Sequence, residues 1–191
     1  PKGQIVGLLG PNGAGKTTTV EILEGYRNRD DGEVAVLGVD PAHGDAAWRS
    51  RVGIVLQGTG EFDELTVAEV VHHFAAFYPF ADDPDKVIAR VGLEAKRKAR
   101  THSLSGGQKR RLDVALGIIG RPELLFLDEP TTGFDPEARR EFWELIRDLA
   151  AAGTTILLTT HYLDEAEELA DRVGVISGGK IVDVSTPALL G

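Results

Sequence analysis

Gln4-Ile5-Val6-Gly7-Leu8-Leu9-Gly10-Pro11-Asn12-Gly13-Ala14-Gly15-Lys16-Thr17-Thr18 is the segment from which the architecture follows. Its apolar, β-branched start predicts a buried strand over residues 4–9, and the glycine-rich turn delivers that strand into a helix from about Gly15 to Glu24. Gly10 to Thr17 match G-x-x-x-x-G-K-[ST]. In that pattern glycines let backbone N–H groups curl around phosphate oxygens, the lysine neutralises charge and the hydroxyl holds Mg²⁺. A strand-turn-helix setting is what such a loop requires, so the segment predicts a nucleoside triphosphate site. Lys16 would bridge the β- and γ-phosphates, Thr17 would meet Mg²⁺, and the N–H groups of Asn12 through Thr18 would enclose the anion at a helix N-terminus.

Outward from this segment, apolar runs alternate with amphipathic stretches, the pattern of parallel strands joined by helices in an α/β core. Further strands are expected at Glu33 to Leu37, Val52 to Gln57, Leu124 to Asp128, Thr154 to Thr159, Val173 to Ser177 and Lys180 to Val184. The last two, split by Gly178-Gly179, read as a hairpin. Between Gly58 and Leu104 no strand pattern occurs; Thr66 to Tyr78 and Pro84 to Val91 read as helices, which makes 58–104 an inserted helical lobe. The basic run Lys96-Arg97-Lys98 is read as a solvated turn.

The 191 residues suit one globular domain with an inserted lobe. Hydrophobic residues at 42% and charged ones at 27% are ordinary for a soluble fold. The apolar runs around Val114 to Ile119 and Ile156 to Leu158 are far below the ~18 residues of a spanning helix. Absence of cysteine excludes disulfides and thiolate metal sites, and no secretory signal is visible at the N-terminus. A net charge of −9 argues against a phosphate-backbone-binding surface, so no nucleic-acid partner is expected.

Further along, Asp128 ends an apolar strand and is the candidate carboxylate for the metal, while Glu129 follows directly as a base to polarise the attacking water. Gln57 ends the strand Val52 to Leu56, where its amide could reach Mg²⁺ or the lytic water; alone, a strand-end glutamine is more often solvent-facing. His161 ends the strand after Thr160, where an imidazole could contact the γ-phosphate and orient Glu129 and water. His72 and His73, adjacent on a helix, cannot present both rings to one metal and are assigned no site. Leu104-Ser105-Gly106-Gly107-Gln108 forms a second anion-binding pattern: Ser105 can cap the helix that runs to about Ile119, and the glycines let phosphate approach its N–H groups. A capping turn explains these residues without a ligand. Set just before the metal-binding strand, they suggest instead a site that completes another subunit's nucleotide pocket.

With these residues in place, the chain resembles the nucleotide-binding domain of ATP-binding cassette transporters over essentially its whole length. Walker A is Gly10 to Thr17, the Q-loop Gln57, the signature Leu104 to Gln108, Walker B Leu124 to Asp128 with Glu129 as base, the D-loop Gly133-Phe134-Asp135 and the switch histidine His161. The wording of Leu8 to Thr18 and of Asp128 to Pro136 is most similar to the bacterial drug- and polymer-exporter branch. The resemblance implies a P-loop NTPase core with a mostly parallel sheet, a partial antiparallel β subdomain and the helical lobe. It also implies ATP and Mg²⁺ as ligands, with Mg²⁺ on Thr17, Gln57 and Asp128, and catalysis by Glu129, His161 and Gln57. ATP would be held by Gly10, Pro11, Asn12, Gly13, Ala14, Gly15, Lys16, Thr17 and Thr18 of one copy and by Ser105, Gly107 and Gln108 of a second, in a head-to-tail homodimer. The implied partner is a membrane permease, and the implied location is cytoplasmic, peripheral on the inner face of the cell membrane. A soluble, translation-factor-like relative is the alternative, although such factors normally carry two cassettes. Family members carry further strands before the segment that begins at Pro1, including an aromatic that stacks on adenine. The expectation is therefore an N-terminally truncated domain that binds ATP more weakly, by about 1–3 kcal/mol if ring-stacking values transfer, with an unpaired sheet edge prone to aggregate. Phe134 stands where a leucine is common in the D-loop and, being bulky and apolar, is expected to change that contact little.

Overall fold

The computed structural model describes residues 2–55 and 62–189. Its scaffold is a six-stranded sheet built from β1 (Ile5–Leu9), β2 (Val52–Val55), β3 (Leu124–Asp128), β4 (Thr155–Thr160), β5 (Arg172–Ser177) and β6 (Lys180–Ser185), in the order β2-β3-β4-β1-β5-β6. All neighbours are parallel except β5 and β6, the expected hairpin. The helices are α1 (Lys16–Leu23), α2 (Ala46–Arg49), α3 (Val67–Ala75), α4 (Pro84–Arg90), α5 (Gly106–Ile118), α6 (Pro136–Ala151) and α7 (Leu163–Leu169).

Period-two alternation divides the central strands between two apolar layers. Leu125 and Leu127 of β3 and Ile156 and Leu158 of β4 face one layer, with α5 and the α6 residues Phe142, Leu145, Ile146 and Leu149. Leu124, Phe126 and Leu157 face the other, with Val20 of α1 and Trp48 of α2. Coverage on both faces is what parallel strands demand, and each fully buried Leu, Ile or Phe contributes about 1.5–3 kcal/mol. Helix α5 lies so close to β2 that a Cβ built on Gly53 would sit 2.3 Å from the Gly117 carbonyl oxygen. Between β2 and α5 the described residues hold α3 and α4 and no strand. There the Thr66–Glu69 capping box starts α3, and Arg97 pairs with Asp85.

The expected strand at Glu33 to Leu37 does not form. Val36 and Val39 close instead into an isolated two-way bridge, with N–H···O distances of 2.8 and 3.1 Å, across Leu37 and Gly38 at φ 52° and 81°. Trp48 Nε1 donates to the Val36 carbonyl at 2.8 Å. Strand propensity is realised only against a neighbouring ladder, and no described strand lies beside this segment. Among the described residues no helix is long and apolar enough to cross a membrane.

Candidate functional site

Strand order and register bring the chemistry together. β3, β4 and β1 are adjacent, with Asp128 opposite Thr159 and Leu9 opposite Thr160, so their C-terminal ends open on one edge of the sheet. Ligands of open α/β sheets bind outside those carboxyl ends. From β1 emerges the loop of residues 10–15, from β3 Glu129, and from β4 His161.

Gly15, at φ 102°, is the N-cap of α1; a side chain there would be strained, which explains a glycine at the point where loop becomes helix. The first N–H groups of a helix have no partner inside it and point out of its N-terminus. Asn12, Gly13, Gly15, Lys16, Thr17, Thr18 and Glu129 line a cavity of about 210 Å³ at this spot. Gly10 and Pro11 turn their carbonyls to Lys16, whose Nζ donates to them at 2.8 and 3.2 Å and lies 3.1 Å from Glu129 Oε1. All three ammonium donors are thus used by a side chain that is 4% exposed. Ala14 is buried beneath the loop with Leu8 and Ile176.

Two oxygens for a hard cation meet opposite the lysine. Thr17 Oγ1 donates to Asp128 Oδ2 at 3.2 Å, while Thr159 Oγ1 donates a short bond to Asp128 Oδ1. No cluster of three or more His, Cys, Asp or Glu side chains that could cage a metal exists among the described residues. A hydroxyl and a single carboxylate beside a phosphate loop nevertheless fit Mg²⁺, which keeps waters and substrate oxygens in its shell. Gln57, the third expected ligand, lies outside the described residues.

Glu129 sits at φ 43°, a left-handed conformation that bulky residues rarely adopt. Its N–H donates to Thr159 Oγ1 at 2.9 Å. His161 Nδ1 lies 3.3 Å from Glu129 Oε2, without hydrogen-bond alignment, and its ring packs at 4.0 Å on Tyr162. Burial pushes the Glu129 carboxyl upward, but Lys16 and His161 outweigh it and hold the group below its ordinary value. An ionised Glu129 follows at neutral pH. At the C-terminal end of α1, Glu24 behaves oppositely: burial, with Asp128 and Glu21 adding repulsion, raises its carboxyl to about 7.

The signature residues lie at the N-terminus of α5 and do not line the loop cavity. Ser105 is the N-cap: its Oγ accepts from Gln108 N–H at 3.3 Å, and Gln108 Oε1 accepts from Ser105 N–H at 3.1 Å. Ser105 is exposed and Gly107 half-buried, so this turn faces outward. Asp135 of the D-loop caps α6 by accepting from Glu137 and Ala138 N–H at 3.0 and 2.9 Å. Phe134 packs edge-to-face on Phe142 at 5.6 Å.

Four residues of this neighbourhood are missing from the sequence reading. Thr159 reads as one more β-branched strand residue until register sets it beside Asp128. Arg110 and Glu165, 8% and 1% exposed, sit in helices whose many charges suggest solvent. Glu24 carries no motif at all.

A glycine-rich loop between β1 and α1, set at the carboxyl edge of a doubly covered parallel sheet, defines the class as a phosphate-binding-loop nucleotide protein. The ABC transporter family model matches residues 1–132, and the chain belongs to that family. It is 41% identical over 191 residues to the daunorubicin resistance ATP-binding protein DrrA3 of Streptomyces coeruleorubidus, covering 97% of this chain and 60% of that protein. It is 43% identical over 194 residues to the Nod factor export ATP-binding protein I of Neorhizobium galegae, covering 98% of this chain and 56% of the other. The chain thus spans about three fifths of the length of these relatives. Among solved structures, CbiO1 of Clostridium perfringens, part of the ABC transporter complex CbiONQ, superposes with a TM-score of 0.87 at 28% identity. That match covers 97% of this chain and 78% of that one. The mostly parallel α/β architecture is shared with these structures, and the relatives fall in the drug- and polymer-exporter branch.

Proposed function

We propose that this chain binds and hydrolyses ATP as the motor of an exporter, driving a separate membrane permease through ATP-dependent head-to-tail pairing of two copies. The observation that carries the reading is the convergence of Lys16, Thr17, Asp128, Glu129 and His161 on one sheet edge. Lys16 neutralises phosphate charge, and the loop N–H groups orient the triphosphate. Mg²⁺ would be held by Thr17 and Asp128 and would neutralise phosphate charge. Glu129, kept ionised by Lys16 and His161, accepts the proton of the attacking water. His161 holds that carboxylate in place. Ser105, Gly107 and Gln108, turned outward on α5, complete the pocket of the second copy. The relatives' resistance and export names support the exporter assignment.

We further read residues 58–104 as a helical lobe inserted in a single domain, and the whole as peripheral on the inner face of the membrane. The permease contact falls on that lobe, where Phe62, Phe74 and Phe77 stack edge-to-face and Phe77 stays 67% exposed. Cysteine cross-linking from Phe62 to a co-expressed membrane subunit tests this contact, and absence of any adduct counts against it. The central test is Glu129→Gln in the intact protein. Turnover should fall by about 10²–10⁴-fold, and ATP should hold two copies together in light scattering. Unchanged turnover would remove Glu129 from its role, and a variant that stays single with saturating ATP would reduce the protein to a nucleotide binder.

A further inference from the structure

The backbone that carries Glu129 is held from α5 by one side chain. Arg110 is 8% exposed; its Nη2 donates to the Asp128 carbonyl at 2.8 Å and its Nε to the Pro130 carbonyl at 3.2 Å. These carbonyls belong to the peptide planes on either side of the Glu129-Pro130 step. Between them Glu129 occupies φ 43°, a strained conformation that persists only where its surroundings over-determine it. Three groups do so: Arg110 on the two carbonyls, Thr159 on the Glu129 N–H, and, beyond Pro130, buried Glu165, which accepts from Thr131 Oγ1 at 2.6 Å and from Trp143 Nε1 at 3.2 Å. Burying a guanidinium is costly unless its donors are satisfied, and Asp113 on the same helix lies 3.9 Å from it. Its fork is directed to the two carbonyls, a planar, two-pronged geometry that lysine cannot reproduce. Arg110 also lies on the helix that Ser105 caps.

We propose that Arg110 is the positioning residue of the catalytic base: its guanidinium, by gripping the Asp128 and Pro130 carbonyls, sets the strained backbone from which Glu129 reaches the site, and so ties the signature helix of one copy to that copy's own base. The proposal rests on Glu129 being the base. Arg110 does not line the phosphate-loop cavity and acts through Glu129.

The test compares Arg110→Met, Arg110→Lys, Glu129→Gln and the double variant R110M/E129Q in the intact protein, by steady-state and single-turnover ATP hydrolysis, nucleotide titration and thermal melting. A base displaced by about 1 Å loses about 10²-fold. R110M should therefore lower kcat by about 10- to 100-fold while KM and nucleotide affinity stay near wild type, and the double variant should be no slower than E129Q alone. R110K, which keeps charge and bulk but loses the fork, should fold and lie between R110M and wild type. Wild-type kcat in folded R110M or, should R110M not fold, in R110K overturns the proposal. So does a raised KM with unchanged kcat, or a double variant slower than E129Q by the full R110M factor. If E129Q itself turns over normally, it is the base assignment that fails, whatever R110M does.

Discussion

Thr159→Val is the most direct probe of how the site is built. Thr159 is fully buried, and its single hydroxyl accepts from the Glu129 N–H at 2.9 Å while donating to Asp128 Oδ1. Valine fills the same volume but satisfies neither group, so the exchange isolates the hydroxyl. An orphaned buried N–H costs about 1–3 kcal/mol, and a hydrogen bond to a charged group is worth about 1.5–3 kcal/mol. Asp128 keeps its contact from Thr17 at 3.2 Å and is only half-buried, which favours the low end of the second term. The sum is about 2.5–4.5 kcal/mol, or roughly 5–18 °C in Tm for a domain of this size. Urea unfolding with an unchanged m-value is the assay. Thr159→Ser, which keeps the hydroxyl and loses one methyl, should cost only about 1 kcal/mol. If valine lies within about 0.5 kcal/mol of wild type, or if serine costs as much as valine, the hydroxyl does not hold the end of β3 and the reasoning fails.

Glu24 gives the chain a pH-dependent stability. Its folded carboxyl keeps its proton up to about 7 whereas the unfolded one releases it near 4.5, so stability falls as pH rises through that window and then levels. At 1.36 kcal/mol per pH unit the ceiling is about 3 kcal/mol, which solvent screening of a partly exposed group reduces to about 1–2. Glu24→Gln should therefore gain about that much over wild type at pH 8 and nothing at pH 4.5 in urea titrations; an equal difference at both would refute it. Gly53→Ala should destabilise by about 3 kcal/mol, the upper end of overpacking, because the new methyl meets the Gly117 backbone oxygen rather than a movable side chain. A melting temperature unchanged from wild type would show that α5 can retreat from β2.

The sheet was legible because its signals are local. Alternating β-branched runs ended at loop residues, and β1, β3, β4, β5 and β6 fall within a residue or so of their expected bounds. Glu33 to Leu37 carries the same propensity, yet a ladder needs a neighbour, which no single-segment pattern can supply. Helix α6 was readable and missed: Asp135-Pro136 is a cap followed by proline, and Phe142, Leu145, Ile146 and Leu149 recur at helical spacing. The loop and strand-end residues of the site stand out because phosphate and metal chemistry restricts residue type. Thr159, Arg110 and Glu165 have no such signature. Their roles come from register and helix rotation, which join residues 18 to 34 positions apart.

Gly133 to Asp135 look on paper like a flexible connector, but two of these three residues are bolted to α6, Phe134 through the Phe142 ring and Asp135 through the helix's opening amides. Phe142 is itself sealed in the main apolar layer. Any surface pressed against this corner therefore cannot be cushioned by loop bending; it pushes a sixteen-residue rod, and the shove arrives in the protein's interior.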